Sequence, residues 1–381
     1  MTTLTTILDG LRSNAGTMAE AGRSRNLGVL RDMLGPAFRG LVLRAGKADG
    51  TVAVRAHHDA TFDFGYGGQW PVLARLYDAA KQSQWDGARA LDWSVDVVPD
   101  DAERALISDD ILPLAELPAF QRLPARDKNT QRHAMLAWLL SQFLHGEQGA
   151  LFAACQVTES VGSLDAKLYG STQVVDEGRH VEVFHRYLST KLGRTYQIND
   201  NLYVVVDAIM RDSRWDLKFL GMQIMIEGLA LGAFGTLRNA TQEPLLKELL
   251  RNVITDEARH VHFGVVSLER LYREELSDRE RRDREDWAFE LALLMRNRFL
   301  AHEFYDEYYA PIMKRAEWDK RLLESRFMAR FRSTMFRRII PNLRRIGLLS
   351  ERVRPHYAAL GLLAYENERA APELEAKDLL A

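Results

Sequence analysis

The first chemical signal is a repeated pair. Glu177 and His180 stand three residues apart in the string DEGRH (176–180), and Glu257 and His260 repeat the spacing in DEARH (256–260). On a helix, residues i and i+3 share a face, one turn apart. A carboxylate and an imidazole so placed can hold a divalent cation, and two such pairs supply part of a two-metal carboxylate site. Each metal then has one nitrogen, so oxygen ligands are lacking. The shortfall predicts one more Glu ahead of each motif, mid-helix and in apolar sequence.

Both are present. Glu147 lies in WLLSQFLHGEQGALFAACQV and Glu227 in GMQIMIEGLALGAFGTL. Glu147 precedes Glu177 by 30 residues, and Glu227 precedes Glu257 by 30, so the half-motif recurs at an offset of 80. About fifteen residues down one helix and fifteen up the next, at ~1.5 Å rise each, return the chain to the same height. Taken singly, either Glu reads as a wet helix face. Glu227, however, has Ile224, Met225, Ile226, Gly228, Leu229 and Ala230 around it. A buried carboxylate is costly unless it neutralises or finds a partner.

Four carboxylates and two imidazoles suit iron or manganese. Structural zinc prefers Cys and His, and calcium does not select His. Two divalent ions would also neutralise the four carboxylates. A metal-bound His normally donates its other N–H to a carboxylate. Asp176 and Asp256 directly precede the ligand Glu residues and point off the metal face. Each is expected to orient the His of the opposite motif, Asp176 with His260 and Asp256 with His180. Arg179 and Arg259 would balance these buried charges. The plainer reading of the two arginines is surface salt bridging.

These residues demand an all-α frame. Apolar positions recur at three- and four-residue spacing from about 129 to 275, predicting helices near 129–160, 163–192, 200–238 and 242–275, the third interrupted near Asp212–Arg214. Short linkers favour antiparallel neighbours. The expected division is an N-terminal helical and loop region (1–128), a four-helix core (129–275) and C-terminal helices packed on it (276–381). The β-branched runs LVLR and TVAVRA around KADG predict a small hairpin near 36–62. The stretch 314–354 is rich in arginine. Its plain reading is a solvated face, and its sharper reading a docking surface for an acidic partner.

Positions three, four and seven after a ligand share its helix face. After Glu147 these are Ala150, Leu151 and Ala154; after Glu227 they are Ala230, Leu231 and Phe234. Phe184 lies one turn beyond His180. This small and apolar set is a candidate substrate pocket, with core packing as the alternative. Cys155 reads as core, and Tyr187 as packing. His145 and His262 should face away from the metals.

Composition excludes several classes. The formal net charge is −2 over 381 residues, which points to neither nucleic acid nor an anionic membrane. No basic n-region with an apolar core opens the chain, and no uninterrupted apolar run reaches about 18 residues. One cysteine permits no intrachain disulfide. The expected location is the cytoplasm. No phosphate loop, dinucleotide fingerprint or nucleophile triad competes with the metal reading.

On DEGRH and DEARH the chain resembles the ferritin-like di-iron carboxylate superfamily in its oxygen-activating branch. The motifs look like those of bacterial multicomponent monooxygenase hydroxylases and of the phenylacetyl-CoA and benzoyl-CoA epoxidase oxygenases. The resemblance covers roughly 129–275. It implies a ferritin-like four-helix bundle with flanking helices, carrying two iron ions or a manganese–iron pair, with O2 as co-substrate. Glu147, Glu177 and His180 would bind one metal, and Glu227, Glu257 and His260 the other, with Glu177 and Glu257 bridging.

The implied activity is oxygenation of a small organic substrate by hydroxylation, epoxidation or N-oxygenation, fed by an external electron donor such as a reductase or ferredoxin. A homodimer is compatible; nucleic acid and membrane are not expected as partners. Departures narrow the choice. The radical tyrosine of ribonucleotide reductase small subunits falls at Phe184, and the additional His of arylamine N-oxygenases falls at Val253. Ferritins and rubrerythrins are much shorter. A desaturase or oxidase working on an acyl or carrier-bound chain stays open, as does a non-catalytic metal-binding protein.

Overall fold

The computed structural model describes residues 4–48, 50–98, 106–109, 112–374 and 378–379. Three short helices come first, α1 (Leu4–Ser13), α2 (Ala15–Glu20) and α3 (Leu27–Ala37). An irregular stretch leads to α4 (Pro71–Gln82). The centre is built from α5 (Ala125–Ser160), α6 (Leu164–Tyr187), α7 (Asp200–Arg211), α8 (Trp215–Ala240) and α9 (Pro244–Arg270). Then come α10 (Asp278–Asn297), α11 (His302–Tyr308), α12 (Arg315–Glu324) and α13 (Arg326–Phe336).

α5 and α6 pair across the turn at 161–163, and α8 and α9 pair across 241–243. α6 also packs on α9, closing a four-helix bundle of α5, α6, α8 and α9. Local chemistry places each turn. The Ser163 hydroxyl accepts the Ala166 N–H at the start of α6, satisfying a donor the helix leaves free. Glu243 does this for Leu245 and Leu246 at the start of α9, where Pro244 fits the first turn. Tyr187 Oη donates to Glu243 Oε2 at 2.7 Å, tying the end of α6 to that cap. Gly193, with φ +62°, reverses the chain after α6.

The interruption expected near Asp212–Arg214 is present, and it separates α7 from α8. Lys218 Nζ closes it by donating to Ile209 O at 3.1 Å and Gln156 Oε1 at 2.6 Å. Burial lowers the Lys218 pKa to about 8. α7 lies against α5, and α10 packs on α7 and on the first half of α8. α8 is long and apolar enough to cross a bilayer, but its apolar window is wholly buried inside the bundle. Residues Leu220–Glu227 of α8 are wound as π-helix.

The hairpin expected near 36–62 is absent; the described residues contain no strand. Phe38–Val42 is a π-helical turn continuing α3. The reason lies in packing. Leu41 is buried, its carbonyl accepts from Asn14 Nδ2 at 3.0 Å, and 51–56 run on irregularly and largely exposed. A two-stranded ribbon with no third element is marginal in water. Asp49, in the expected turn, lies outside the described residues, as do 99–101 of the loop WSVDVVPDD.

Several arginines of the arginine-rich stretch are paired within the chain. Arg337 meets Glu368, Arg345 meets Glu269 and Glu373, Arg352 meets Glu285 and Asp286, and Arg354 meets Glu366.

Candidate metal centre

Glu147 on α5, Glu177 and His180 on α6, Glu227 on α8, and Glu257 and His260 on α9 converge at the middle of the bundle. None is more than 5% exposed. They form two overlapping groups, Glu147–Glu177–His180–Glu257 and Glu177–Glu227–Glu257–His260, each with one donor atom per residue within 4.8 Å of the others. Glu177 and Glu257 belong to both.

His180 Nδ1 lies 3.2 Å from Glu147 Oε2, 3.1 Å from Glu257 Oε1 and 3.5 Å from Glu177 Oε2. His260 Nδ1 lies 3.1 Å from Glu177 Oε1 and 3.3 Å from Glu257 Oε2. One ring nitrogen can donate to only one of several oxygens. Atoms bound about 2.1 Å from a common cation stand roughly 3.0–3.4 Å apart. The observed spacing is that of a coordination shell.

Each far nitrogen is held from the opposite motif. Asp256 Oδ2 is 3.1 Å from His180 Nε2, and Asp176 Oδ2 is 3.2 Å from His260 Nε2. A carboxylate only accepts, so Nε2 carries a hydrogen, which leaves Nδ1 as the nitrogen that a metal would take once it displaces the proton there. Arg179 bridges the motifs, pairing with Asp176 and, at 3.1 Å, with Asp256 Oδ2. Arg259 pairs with Asp256 and lies 3.6 Å from Asp176 Oδ2. These are largely buried pairs at the cluster, so the surface salt-bridge reading does not hold for either arginine.

Charge balance explains the titration. Burial, with Glu257 beside each, pushes Glu147 and Glu227 well above the usual carboxylate range. Burial also raises Glu177, but His260 and His180 outweigh it and hold the carboxyl well below that range. Asp256 is depressed because His180, Arg259 and Trp85 together outweigh its desolvation. Burial disfavours charge on both imidazoles, yet the surrounding carboxylates raise them well above their ordinary value. Two divalent cations would replace these protons.

Glu227 Oε2 is buried without a hydrogen bond, and Glu177 Oε2 and Glu257 Oε1, though near His180 Nδ1, have none of proper geometry. Orphaned carboxylate oxygens in a core are costly, and oxygens beside two oriented imidazoles fit first-row divalent metals. The donor set therefore fits a dinuclear centre.

Several contributors lie outside the residues singled out above. Gln84, just past α4, donates to Asp176 Oδ1 at 2.9 Å and accepts from Arg179 at 2.8 Å. Trp85 Nε1 donates to Asp256 Oδ2 at 2.8 Å, and its ring lies under Arg179 at 4.7 Å. Gln173 is buried beside Glu227, and Gln223 is buried beside Gln173. The Tyr169 phenol is buried, makes no hydrogen bond, and packs on Phe263 at 4.4 Å.

The candidate pocket residues divide. Phe184 and Phe234 stack at 5.7 Å, and Phe143 meets Phe234 edge-on at 4.7 Å, forming an aromatic wall. Ala150 and Ala154 are buried, whereas Leu151 and Ala230 are half-buried. Leu231 borders a cavity of about 10 Å³ shared with Ala258 and Val261, room for one water at most. Among the remaining residues, Cys155 is half-buried. His145 Nε2 engages Tyr196 O at 2.9 Å, and His262 lies near Arg75 and Arg345.

One Glu from each of two helices, set against a Glu-x-x-His from each of two others, is the donor arrangement of the ferritin-like dinuclear carboxylate bundles. No protein-family profile and no curated protein matches the chain. Solved structures of R2-like ligand-binding oxidases do. One variant with an anaerobically reconstituted Mn/Fe cofactor is 19% identical, covering 77% of this chain and 100% of that one, at a TM-score of 0.47. Another, reconstituted aerobically with Mn/Fe, is 18% identical over 68% of this chain and 93% of its own, at 0.45. A third, with its metal cofactor after photoconversion, is 17% identical over 68% and 91%, at 0.42.

Proposed function

We propose that this chain is an O2-dependent non-haem di-iron enzyme of the cytoplasm that oxygenates a small organic substrate, drawing electrons from an external reductase or ferredoxin. The observation that carries the reading is the pair of overlapping Glu–His groups, buried and sharing two carboxylates, with each His oriented by an Asp of the other motif. Glu147, Glu177, His180, Glu227, Glu257 and His260 are the metal ligands in this reading. When bound, the two metals supply the redox chemistry by which O2 is activated.

The chain's own residues do the rest. Asp176 and Asp256 keep the hydrogen on each Nε2 and fix the ring planes. Arg179 and Arg259 pair with those aspartates. Phe143, Phe184 and Phe234 close one side against water, which strengthens every charge interaction inside. A manganese–iron pair fits the same donors.

Elemental analysis after anaerobic ferrous loading tests the assignment, with two metals per chain expected. Well below one metal per chain would sink it. O2 consumption with candidate substrates and an electron donor tests turnover. Isotopic oxygen in the product marks an oxygenase, and its absence from an oxidised product marks a desaturase or oxidase.

A further inference from the structure

The positions four residues ahead of the ligands carry an asymmetry. Gln173 precedes Glu177 by four, and Gln223 precedes Glu227 by four. The counterparts in the repeat are Val253 ahead of Glu257 and Phe143 ahead of Glu147. One end of the cluster therefore meets two carboxamides, and the other a valine and a phenylalanine. All four side chains are buried.

We propose that Gln173, braced by Gln223, is a positioning residue that makes the two metal positions unequal, engaging Oε1 of Glu227 so that its other oxygen faces the cation, while also donating to Oε1 of Glu177, which stays within reach of His260. The inference rests on the dinuclear reading above. Gln173 Nε2 lies 3.0 Å from Glu227 Oε1 and 3.2 Å from Glu177 Oε1. A primary amide has two hydrogens on nitrogen, enough for both. Its own oxygen accepts from Gln223 Nε2 at 3.3 Å. Carboxylates only accept, so the amide nitrogen must face them, and this fixes the orientation of the relay.

The oxygens left over are informative. Glu227 Oε2 is buried without a partner, and Glu177 Oε2 makes no hydrogen bond, with His180 Nδ1 at 3.5 Å. The amide thus divides the Glu227 carboxylate into a tethered oxygen and a free one. Glu227 can swing to present both oxygens to one metal only by giving up its amide contact. Glu147 has no such tether; its Oε2 meets His180 Nδ1 at 3.2 Å, and Phe143 stands where the amide would be. Backbone geometry supports the relay too. Gln223 sits in the π-wound part of α8, against Gly264 of α9. A Cβ on Gly264 would lie 2.6 Å from Gln223 Cβ, so this close approach requires glycine.

The test is a titration of metal-free protein with Mn2+ under argon, followed by calorimetry and by the Mn2+ electron-paramagnetic signal. The wild-type chain should fill in two unequal steps. Gln173→Met keeps the bulk and removes the donors. It should weaken the Glu227-side step about 10- to 100-fold, the usual effect of losing a hydrogen-bond partner of a metal ligand, and move the other step less than about threefold on the same basis. A Glu147→Ala background, which retains only the Glu227-side position, identifies the affected step. Gln223→Leu touches no carboxylate; it should act in the same direction with smaller effect, and it carries the test if Gln173→Met does not fold. Equal shifts of both steps, or no shift in either, would overturn the positioning role while leaving the dinuclear reading intact. Failure of the wild-type chain to bind metal would overturn both.

Discussion

Glu147 stands on an uninterrupted α-helix and lies against one imidazole nitrogen. Glu227, its counterpart 80 residues on, closes a π-helical segment and is tied to an amide. The two half-sites share spacing, ligand types and the Asp–His exchange, yet their surroundings differ at several positions outside the motifs. Trp85 donates to Asp256, and so supports His180 alone; Gln84 donates to Asp176, and so supports His260. The lesson is that the repeat fixes where two cations go, while residues outside it decide how alike those positions are.

The comparison breaks most completely at the unshared ligands. Glu147→Ala and Glu227→Ala should each bind one metal instead of two, read by elemental analysis, whereas Glu257→Ala, which removes a shared ligand, should bind fewer than either. If Glu227→Ala retains two, the ligand set is wrong. Next in size are the orienting aspartates. Asp256→Asn should weaken the His180 position, and Asp176→Asn the His260 position, each by about 10- to 100-fold, measured by Mn2+ titration.

pH gives a third handle. Glu147 and Glu227, held above the ordinary 4.5, and His180 and His260, held above 6.5, all keep protons in the metal-free fold that the unfolded chain releases. The stability they contribute is therefore lost as pH rises above 4.5 for the glutamates and above 6.5 for the histidines. Glu177 and Asp256, held low, act oppositely and lose their contribution as pH falls below the ordinary carboxylate range. The metal-free protein should thus be most heat-stable in mild acid, and metal affinity should climb with pH as protons are displaced. Differential scanning calorimetry from pH 5 to about 8, with and without metal, checks both. A Tm rising with pH in the metal-free protein would contradict this account. The smallest expected effect is Trp85→Phe, which removes one hydrogen bond to a charged group. The loss is about 1.5 kcal/mol, near tenfold in affinity, and confined to the His180 position.

The ligand helices are legible because a carboxylate inside apolar, helix-periodic sequence must find a cation or keep a proton, and because Glu and His three apart must share a face. The exchange of Asp176 and Asp256 between motifs follows from their place beside the ligands, off the metal face. Gln173 is open to the same reasoning, being one turn before Glu177. Gln84 and Trp85 are not, since they reach Asp176 and Asp256 from about ninety positions and more away in the chain, by tertiary packing alone. The hairpin expectation fails because LVLR has the residue types of a strand, while Leu41 finds its burial in helix packing. The π-wound stretch of α8 has no signature in residue type that separates it from ordinary helix.

The apolar length of α8 bears on how the chain is made. Its 26 residues are apolar enough to cross a bilayer, and the burial that hides them comes partly from α9, α10 and α13, all downstream. At a synthesis rate of about 5–20 residues per second, α8 leaves the ribosome seconds before those partners exist. During that interval it is an exposed greasy segment, a target for holdase chaperones and for aggregation. A nascent chain arrested after Ala240 should be held by such chaperones, and one arrested after Phe336 should be released.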